Sequence, residues 1–248
     1  MPREPISIAT NDGACPTSVF TPEGVGPWPA AIFYMDGLGI RPTLFEMAQR
    51  LADFGYVVLL PDLFYRAGPY APMDPKAIFA QGNFRAVVGP LMDTTDFQKA
   101  AEDTGAFLAH LDKRSDVASK QIGVTGYCMG GGMALSAAGT FPERIAAAAS
   151  FHGGRLATDQ PGSPHLLAPR LQAEVYVASA DNDPSCPPDM IERLDVALTQ
   201  AGVVHRCETY AGTKHGWTMP DFPVYDDAAA ERHWRELIAL FARNLEIA

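Results

Sequence analysis

The feature that most constrains the fold is a glycine-framed cysteine between an apolar run and a helical run. The segment has the sequence GYCMGG (residues 126–131), with a β-type run before it at 122–125 and a small-residue helical run over 129–138. A strand that turns sharply into a helix exposes the side chain at its apex, and flanking glycines let the turn close without Cβ clashes. The apex residue, Cys128, would lie at the positive end of the helix dipole, which favours an anionic sulfur. We interpret Cys128 as a nucleophile.

The remainder of the chain alternates between strand and helix patterns. Short connections between strand, helix and strand indicate a parallel, buried sheet. A turn signal at Asn11-Asp12-Gly13 predicts a hairpin at the sheet edge. The predicted strands lie near residues 6–9, 17–20, 30–35, 56–60, 122–125, 146–151, 175–178 and 203–210. The predicted helices run from Pro42 to a cap at Gly55, over 95–111, 129–138 and 188–200, and along a C-terminal stripe from Trp234 to Leu245.

Residues 61–91 interrupt this alternation, because prolines and glycines are interleaved there with aromatic residues. A stretch of this length without clear periodicity is more often functional than idle in a compact domain. We therefore predict a loop-rich flap near the active site. With no internal repeat or interdomain linker visible, residues 1–248 are predicted to form a single α/β domain, with a mostly parallel, doubly wound sheet flanked by helices.

Composition and charge exclude several classes of partner. The 19 basic and 29 acidic side chains give a net charge of −10 without a basic patch, which argues against nucleic acid and anionic membranes. No apolar run reaches the ~20 residues of a membrane span, and residues 1–5 lack the pattern of a secretory signal. The four cysteines have no paired spacing that indicates zinc or disulfides. We expect a cytoplasmic protein without a metal or cofactor, and the sequence makes no prediction of oligomeric state.

The candidate reactive loops share one edge of the predicted sheet. Loops that carry chemistry gather at the carboxyl ends of parallel strands, and four loops leave such ends here, at 36–39, Cys128, 181–183 and His215. The chain order of nucleophile, acid and histidine is the order found in α/β-hydrolases. A cysteine between glycines could occur by chance, but the full order of cysteine, acid and histidine, with the acid and the histidine each following a predicted strand, is less easily produced by chance.

Three segments together resemble the dienelactone hydrolase family. They are GYCMGG at 126–131, ADNDPSCP at 180–187 and YAGTKHGW at 210–217. The segments 55–63 and 225–234 extend the resemblance over nearly the whole chain. The resemblance implies an α/β-hydrolase fold and the hydrolysis of a small lactone or ester through a Cys-His-Asp triad without a metal.

By position, the resemblance assigns the triad to particular residues. Cys128 is the nucleophile, and His215 is the base that keeps it ionised and later protonates the leaving alkoxide. Asp183 matches the family position of the acid, while Asp181, closer to the strand end, is the alternative.

Two backbone N–H groups and one carboxylate complete the predicted centre. The N–H groups of Met129 and Gly37 are expected to form the oxyanion hole. Asp36 matches the position of a glutamate that resembles a gate, which contacts the thiol until substrate displaces it. The Asp36 side chain is one methylene shorter than that glutamate, which leaves its reach to the sulfur open.

Other side chains are candidates for the pocket. Arg66 and Arg85 in the flap could bind a substrate carboxylate by a bidentate pair. Tyr127 and Trp217 are expected to pack the pocket wall, and His152, which follows a predicted strand, could line the pocket. The remaining cysteines (15, 186 and 207) are interpreted as small buried apolar side chains, and the remaining histidines (110, 165, 205 and 233) as structural or solvated.

Two alternative functions compete with hydrolysis. A glutaminase-like amidotransferase usually has glutamate two residues after the histidine, and Trp217 occupies that position here, so hydrolysis is favoured over that reading. A non-catalytic protein of the same fold that binds small molecules is the remaining alternative. The occupied triad positions argue against it.

Overall fold

The computed structural model describes residues 3–118 and 120–245, and within them eight strands form one mixed sheet. Their order is β1-β2-β4-β3-β5-β6-β7-β8, with antiparallel pairing of β2 to both β1 and β4 and parallel pairing elsewhere. The strands are β1 (Glu4–Thr10), β2 (Gly13–Phe20), β3 (Ala30–Tyr34), β4 (Val57–Pro61), β5 (Ile122–Tyr127), β6 (Ile145–Phe151), β7 (Glu174–Ala180) and β8 (His205–Tyr210). The predicted mostly parallel sheet is confirmed. Met1 and Pro2, at the start of the segment assessed for a secretory signal, lie outside the described residues.

Helices flank this sheet. They are α1 (Pro42–Asp53), α2 (Pro75–Gln81), α3 (Phe84–Met92), α4 (Phe97–Leu111), α5 (Met129–Thr140), α6 (Pro188–Gln200) and α7 (Asp227–Asn244). α1 and α7 are joined by an ion pair of 2.6 Å between Arg50 and Glu231. In residues 3–118 and 120–245, no helix has the length and apolarity needed to cross a bilayer.

The N-terminal hairpin forms where the turn signal predicts it. Thr10 pairs with Gly13 across the two-residue turn Asn11-Asp12, and β1 is the edge strand of the sheet. The hydroxyl of Thr10 donates to the carbonyl of Gly13 over 2.8 Å, which closes the turn. The predicted edge hairpin is confirmed.

The flap is more regular than its sequence indicated. Residues 61–91 contain a 3-10 turn at Tyr65–Ala67 and the short helices α2 and α3. The carboxylate of Asp74 accepts the N–H of Lys76 at the start of α2, and Gly82 ends that helix in the left-handed region at φ 64°. Helices of 7 and 9 residues span too few turns to produce a clear apolar period, so only their capping residues carried a signal.

A neutral histidine is buried beneath the elbow. His233 of α7 is fully buried, its Nε2 lies 3.2 Å from the Tyr127 hydroxyl, and its Nδ1 donates to the carbonyl of Ala230. Burial, the largest cause, lowers the pKa of the His233 imidazole to about 3. His233 therefore folds as the uncharged imidazole.

This burial predicts acid destabilisation that begins well above the range of carboxylates. In the unfolded chain His233 binds a proton with a pKa of 6.5, whereas in the folded protein it does so only near pH 3. The free energy of unfolding therefore falls as the pH drops below 6.5. Between about pH 7 and about pH 5 the loss due to His233 is about 2 kcal/mol. Urea unfolding at both pH values is expected to show a smaller loss for His233→Gln, which cannot titrate, than for the wild type. Equal losses would contradict the assignment.

Candidate active site

The elbow has the strand-turn-helix geometry that its sequence predicts. Cys128 lies between the end of β5 and the start of α5 at φ 56°, a left-handed conformation unusual for a residue with a side chain. A Cβ at position 126 would lie 1.8 Å from the carbonyl oxygen of Gly130, and a Cβ at position 130 would lie 2.4 Å from that of Tyr34. Glycine is therefore required at both positions for the turn to close.

His215 connects the sulfur of Cys128 to a carboxylate. Its Nδ1 lies 2.5 Å from Oδ2 of Asp183, and the Cys128 sulfur is close enough to the ring to raise the pKa of the imidazole. Ser185 donates its hydroxyl to the other oxygen of Asp183 over 2.5 Å, which fixes the carboxylate. The three side chains thus form one continuous chain of contacts, with Asp183 buried and His215 partly exposed.

The charges in this chain stabilise one another. Burial alone would lower the pKa of the His215 imidazole, but the negative sulfur of Cys128 and hydrogen bonds with Asp183 and Cys128 outweigh it and raise that pKa to about 10. Burial alone would likewise raise the pKa of Asp183, yet the hydrogen bond and charge of His215 lower it overall. The arrangement therefore favours an imidazolium between the Asp183 carboxylate and the Cys128 sulfur.

The two candidate acids have different partners. Asp183 contacts the imidazole, as described above, whereas Oδ2 of Asp181 accepts the backbone N–H of Gly212 over 3.1 Å. Asp181 is exposed, and it braces the loop that leads to His215 rather than the ring itself.

A cavity of about 1120 Å³ opens onto this chain of contacts. Its wall includes all three side chains together with the flap residues Phe79, Phe84 and Arg85. Residues of the flap and Cys128 therefore line the same cavity. A cavity of this size accommodates a small organic ligand.

Two backbone N–H groups at the cavity are available to a ligand. Gly37 and Met129 both line it, and neither N–H has an acceptor within the described part of the chain. The loop that carries Gly37 is held by Asp36, whose carboxylate accepts the N–H of Leu38 over 2.8 Å and whose carbonyl accepts that of Gly39 over 3.2 Å. This loop geometry leaves the Gly37 N–H uncommitted.

Asp36 is bound by an arginine that the sequence did not single out. Nη1 and Nη2 of Arg41 each donate to one oxygen of Asp36 over 2.8 Å, and Asp221 accepts from Nε of the same guanidinium over 2.6 Å. Asp36 and Arg41 are both buried, at 1% and 2% exposure. Among residues 3–118 and 120–245, no hydrogen bond joins Asp36 to Cys128. A loop ion pair of this kind leaves no periodic pattern in a sequence.

The two flap arginines lie in different surroundings. Arg66 donates to both oxygens of Asp103 over 2.9 Å and to Asp12 over 2.7 Å, and it is not part of the cavity wall. Arg85 lines the cavity and pairs with Asp93 at the surface, where its side chain is 72% exposed. Of the two, only Arg85 is in reach of a ligand in the cavity.

Tyr127 and Trp217 lie behind the wall rather than on it. Both are fully buried and neither faces the cavity. The Tyr127 ring stacks on Phe33 at 4.7 Å, and Trp217 packs against Tyr210 at 5.1 Å and against His152 at 5.0 Å. They support the loops that carry Cys128 and His215.

His152 contacts the elbow directly, a placement that the sequence did not predict. Its Nδ1 accepts the N–H of Cys128 over 3.2 Å, so its Nε2 carries the hydrogen and donates to Thr218 Oγ1 over 2.7 Å. Burial lowers the pKa of this imidazole well below its usual value, which keeps the ring neutral. His152 sits at φ 39°. Its position after a predicted strand suggested a pocket residue, but it lies under the elbow and off the cavity wall.

Comparisons with known proteins find relatives over nearly the whole chain. A sequence model of the dienelactone hydrolase family matches residues 15–245. A Synechocystis protein named "Putative carboxymethylenebutenolidase" is 26% identical over 230 residues, which cover 91% of this chain and 90% of the relative. The structure of a "Putative Dienelactone Hydrolase" from Klebsiella pneumoniae superposes with a TM-score of 0.83 at 22% identity, covering 98% of both chains. A dienelactone hydrolase-like promiscuous phosphotriesterase from metagenomic libraries has a TM-score of 0.76 at 22% identity, covering 98% of this chain and 99% of its own.

Proposed function

Because the chain belongs to the dienelactone hydrolase family, a family of lactone and ester hydrolases, we propose that Cys128, His215 and Asp183 carry out hydrolysis through a thioester. The observation that supports this most directly is that the His215 ring binds the Asp183 carboxylate beside the Cys128 sulfur, with all three side chains at the wall of one cavity. The substrate class is a small lactone or carboxylic ester.

The first step forms the thioester. The anionic sulfur of Cys128 attacks the carbonyl carbon, a C–S bond forms, and the carbonyl oxygen becomes an oxyanion that accepts from the N–H groups of Gly37 and Met129. Collapse of this intermediate breaks the C–O bond of the ester. The imidazolium of His215 gives its proton to the departing alkoxide, which leaves as an alcohol or, for a lactone, stays attached to the acyl group.

The second step uses the same ring as a base. Once the sulfur is acylated it carries no charge, so the strongest contribution that raises the pKa of His215 is removed. The neutral imidazole then takes a proton from water, the hydroxide attacks the thioester carbonyl, and the C–S bond breaks. The products are a carboxylic acid and the original pair of anionic sulfur and imidazolium.

In this mechanism Asp36 positions the oxyanion hole. Its carboxylate, fixed by Arg41, holds the turn that presents the N–H of Gly37. Arg85 is the flap cation that a substrate carboxylate could reach, since the donors of Arg66 are occupied by two aspartates.

We also propose that residues 1–248 act as one domain in the cytoplasm. All eight strands belong to a single sheet, and each of the four cysteines is a free thiol. Free thiols fit a reducing compartment.

The raised pKa of His215 predicts an alkaline limit to acylation. A group whose pKa is raised keeps its proton below the raised value and loses it above, so the imidazolium persists to about pH 10. For an alkyl ester or lactone, whose leaving group needs that proton, we expect kcat/KM to fall with a midpoint near pH 10. Initial rates corrected for spontaneous hydrolysis test this, with return to neutral pH as a control for unfolding. A fall centred near pH 7 would contradict the ion pair.

The proposed function itself is tested by a panel of small lactones and alkyl or aryl esters. Wild type is expected to turn over at least one of them and, after rapid acid quenching, to show an acyl mass on the peptide that contains Cys128. Binding without turnover or adduct for every member, in protein whose Cys128 reacts normally with an alkylating probe, would favour the non-catalytic alternative.

A further inference from the structure

A second group of possible metal ligands lies on the edge strand β8 and the helix beside it, outside the cavity. His205 and Cys207 alternate along the edge strand β8, so their side chains point to the same face. α6 packs beside β8 and brings Asp195 to them. A ring nitrogen of His205, the sulfur of Cys207 and a carboxylate oxygen of Asp195 all lie within 4.8 Å of one another. None of the three residues lines the catalytic cavity.

The orientation of His205 is that of a metal ligand. Its Nδ1 lies 2.8 Å from the carbonyl oxygen of Val203, and because a carbonyl only accepts, Nδ1 must carry the hydrogen. In the neutral ring, Nε2 then presents a lone pair toward Oδ1 of Asp195 at 3.2 Å. Two acceptors at this distance need a cation between them. Donation of the second ring nitrogen to a backbone carbonyl is what fixes most metal-binding histidines.

The sulfur of Cys207 distinguishes a metal ion from a second ring proton. A proton on His205 would satisfy only the contact with Asp195, whereas a metal ion could bind all three side chains at once. A set of one sulfur, one nitrogen and one oxygen ligand suits Zn²⁺ rather than Mg²⁺ or Ca²⁺. Two tetrahedral ligands at bonds of about 2.0–2.1 Å are separated by about 3.3 Å, close to the 3.2 Å between His205 and Asp195.

Two further features leave room for an ion. All three residues are partly exposed, so water could complete the coordination. In the described ranges, no lysine or arginine forms an ion pair with Asp195.

We propose that Asp195, His205 and Cys207 bind one Zn²⁺ ion, with water as the fourth ligand. Binding breaks the S–H bond of Cys207 and releases its proton to solvent, while the sulfur forms a bond to the metal. The ion would join α6, which follows the loop carrying Asp183, to β8, which precedes the loop carrying His215. It is therefore expected to stabilise the part of the fold that brings acid and base together.

The test uses Zn²⁺ and Co²⁺ with a protein that lacks the reactive sulfur of the cavity. Calorimetric titration of Cys128→Ala with Zn²⁺ is expected to give one ion per chain, and Co²⁺ to give a thiolate charge-transfer band with intense four-coordinate visible bands. Adding Cys207→Ser is expected to remove the charge-transfer band and to weaken Zn²⁺ binding more than about 100-fold. Adding Asp195→Asn should weaken binding at least about 10-fold. The matched control is Asp189→Asn, an exposed acid on the same helix, which should leave affinity unchanged.

Each contrary result overturns the site. Unchanged affinity and an unchanged Co²⁺ spectrum in Cys207→Ser would exclude the sulfur as a ligand. If Cys128→Ala does not bind Zn²⁺ at micromolar concentrations, the contact between Asp195 and His205 is an ordinary ion pair and the proposed site is wrong. Because Asp195 lies on the partly exposed side of α6, Asp195→Asn is expected to fold even if a cysteine variant does not, and circular dichroism checks this.

Discussion

Replacing Cys128 with alanine is expected to lower kcat/KM toward any hydrolysed lactone or ester by about 10⁴-fold or more. The change removes the atom that forms the thioester and the charge that holds the proton on His215. The N–H groups of Gly37 and Met129 remain, so a small rate above that of water is expected to persist. Initial rates with the best substrate from the panel, together with the loss of the acyl adduct, measure the effect.

The matched control for this variant is Cys15→Ala. Cys15 is also a free thiol, but it is buried on β2 near the sheet edge, away from the cavity. Its loss should leave kcat/KM within about threefold of wild type, apart from a modest decrease in stability. Binding of substrate to Cys128→Ala should also persist, since the cavity wall is otherwise unchanged. A Cys128→Ala protein that keeps a tenth or more of the wild-type rate would refute the thioester mechanism.

Local chemistry explains why the elbow could be predicted from sequence. A Cβ at position 126 would clash with the turn itself, at the carbonyl of Gly130, so this requirement for glycine depends on neighbouring residues and is visible in the sequence. The alternation of apolar runs with helical patterns likewise follows from short-range periodicity and fixed the parallel sheet. The strand at 145–151, which is alanine-rich and ambiguous by composition, was correctly predicted from its length and its place in the chain order.

Contacts between distant segments explain what the sequence left undetermined. The bond between Nδ1 of His152 and the N–H of Cys128 joins residues 24 apart. His152 has a left-handed backbone conformation there, which a histidine in the sequence does not predict. Arg41 reaches Asp36 within one loop but Asp221 across 180 residues. The proposed zinc site combines a helix residue with two alternate strand residues, a spacing that differs from paired metal-binding cysteines. In each case the partner is set by the completed fold.

The choice between Asp183 and Asp181 is of the same kind, since both lie in one loop after β7. Their side chains diverge because the turn is fixed by the N–H and hydroxyl of Ser185, which both donate to Oδ1 of Asp183. This leaves Oδ2 of Asp183 for the imidazole and directs Asp181 toward Gly212. Asp181 and Asp183 thus have different partners because Ser185 binds only Asp183.

Asp183→Asn is accordingly expected to lower kcat/KM by about 10²- to 10⁴-fold, while Asp181→Asn stays within about threefold of wild type. An asparagine at 183 can turn its amide toward Nδ1 and stabilise the wrong tautomer, and it supplies no negative charge to the imidazolium. Because the hydrogen bond and charge of Asp183 contribute to the raised pKa of His215, the alkaline midpoint of kcat/KM should also move to lower pH in this variant alone.

The pH profile separates the proposed role from a general loss of structure. A variant that was merely less folded would lose rate at every pH without moving the midpoint, whereas loss of the Asp183 charge shifts the titration of the ring itself. Rates between about pH 6 and about pH 11 for wild type and both variants, with unfolding midpoints measured in parallel, give the comparison. A larger loss of kcat/KM in Asp181→Asn than in Asp183→Asn would contradict the assignment of Asp183 as the acid. An unchanged alkaline midpoint of kcat/KM in an active Asp183→Asn would contradict it as well.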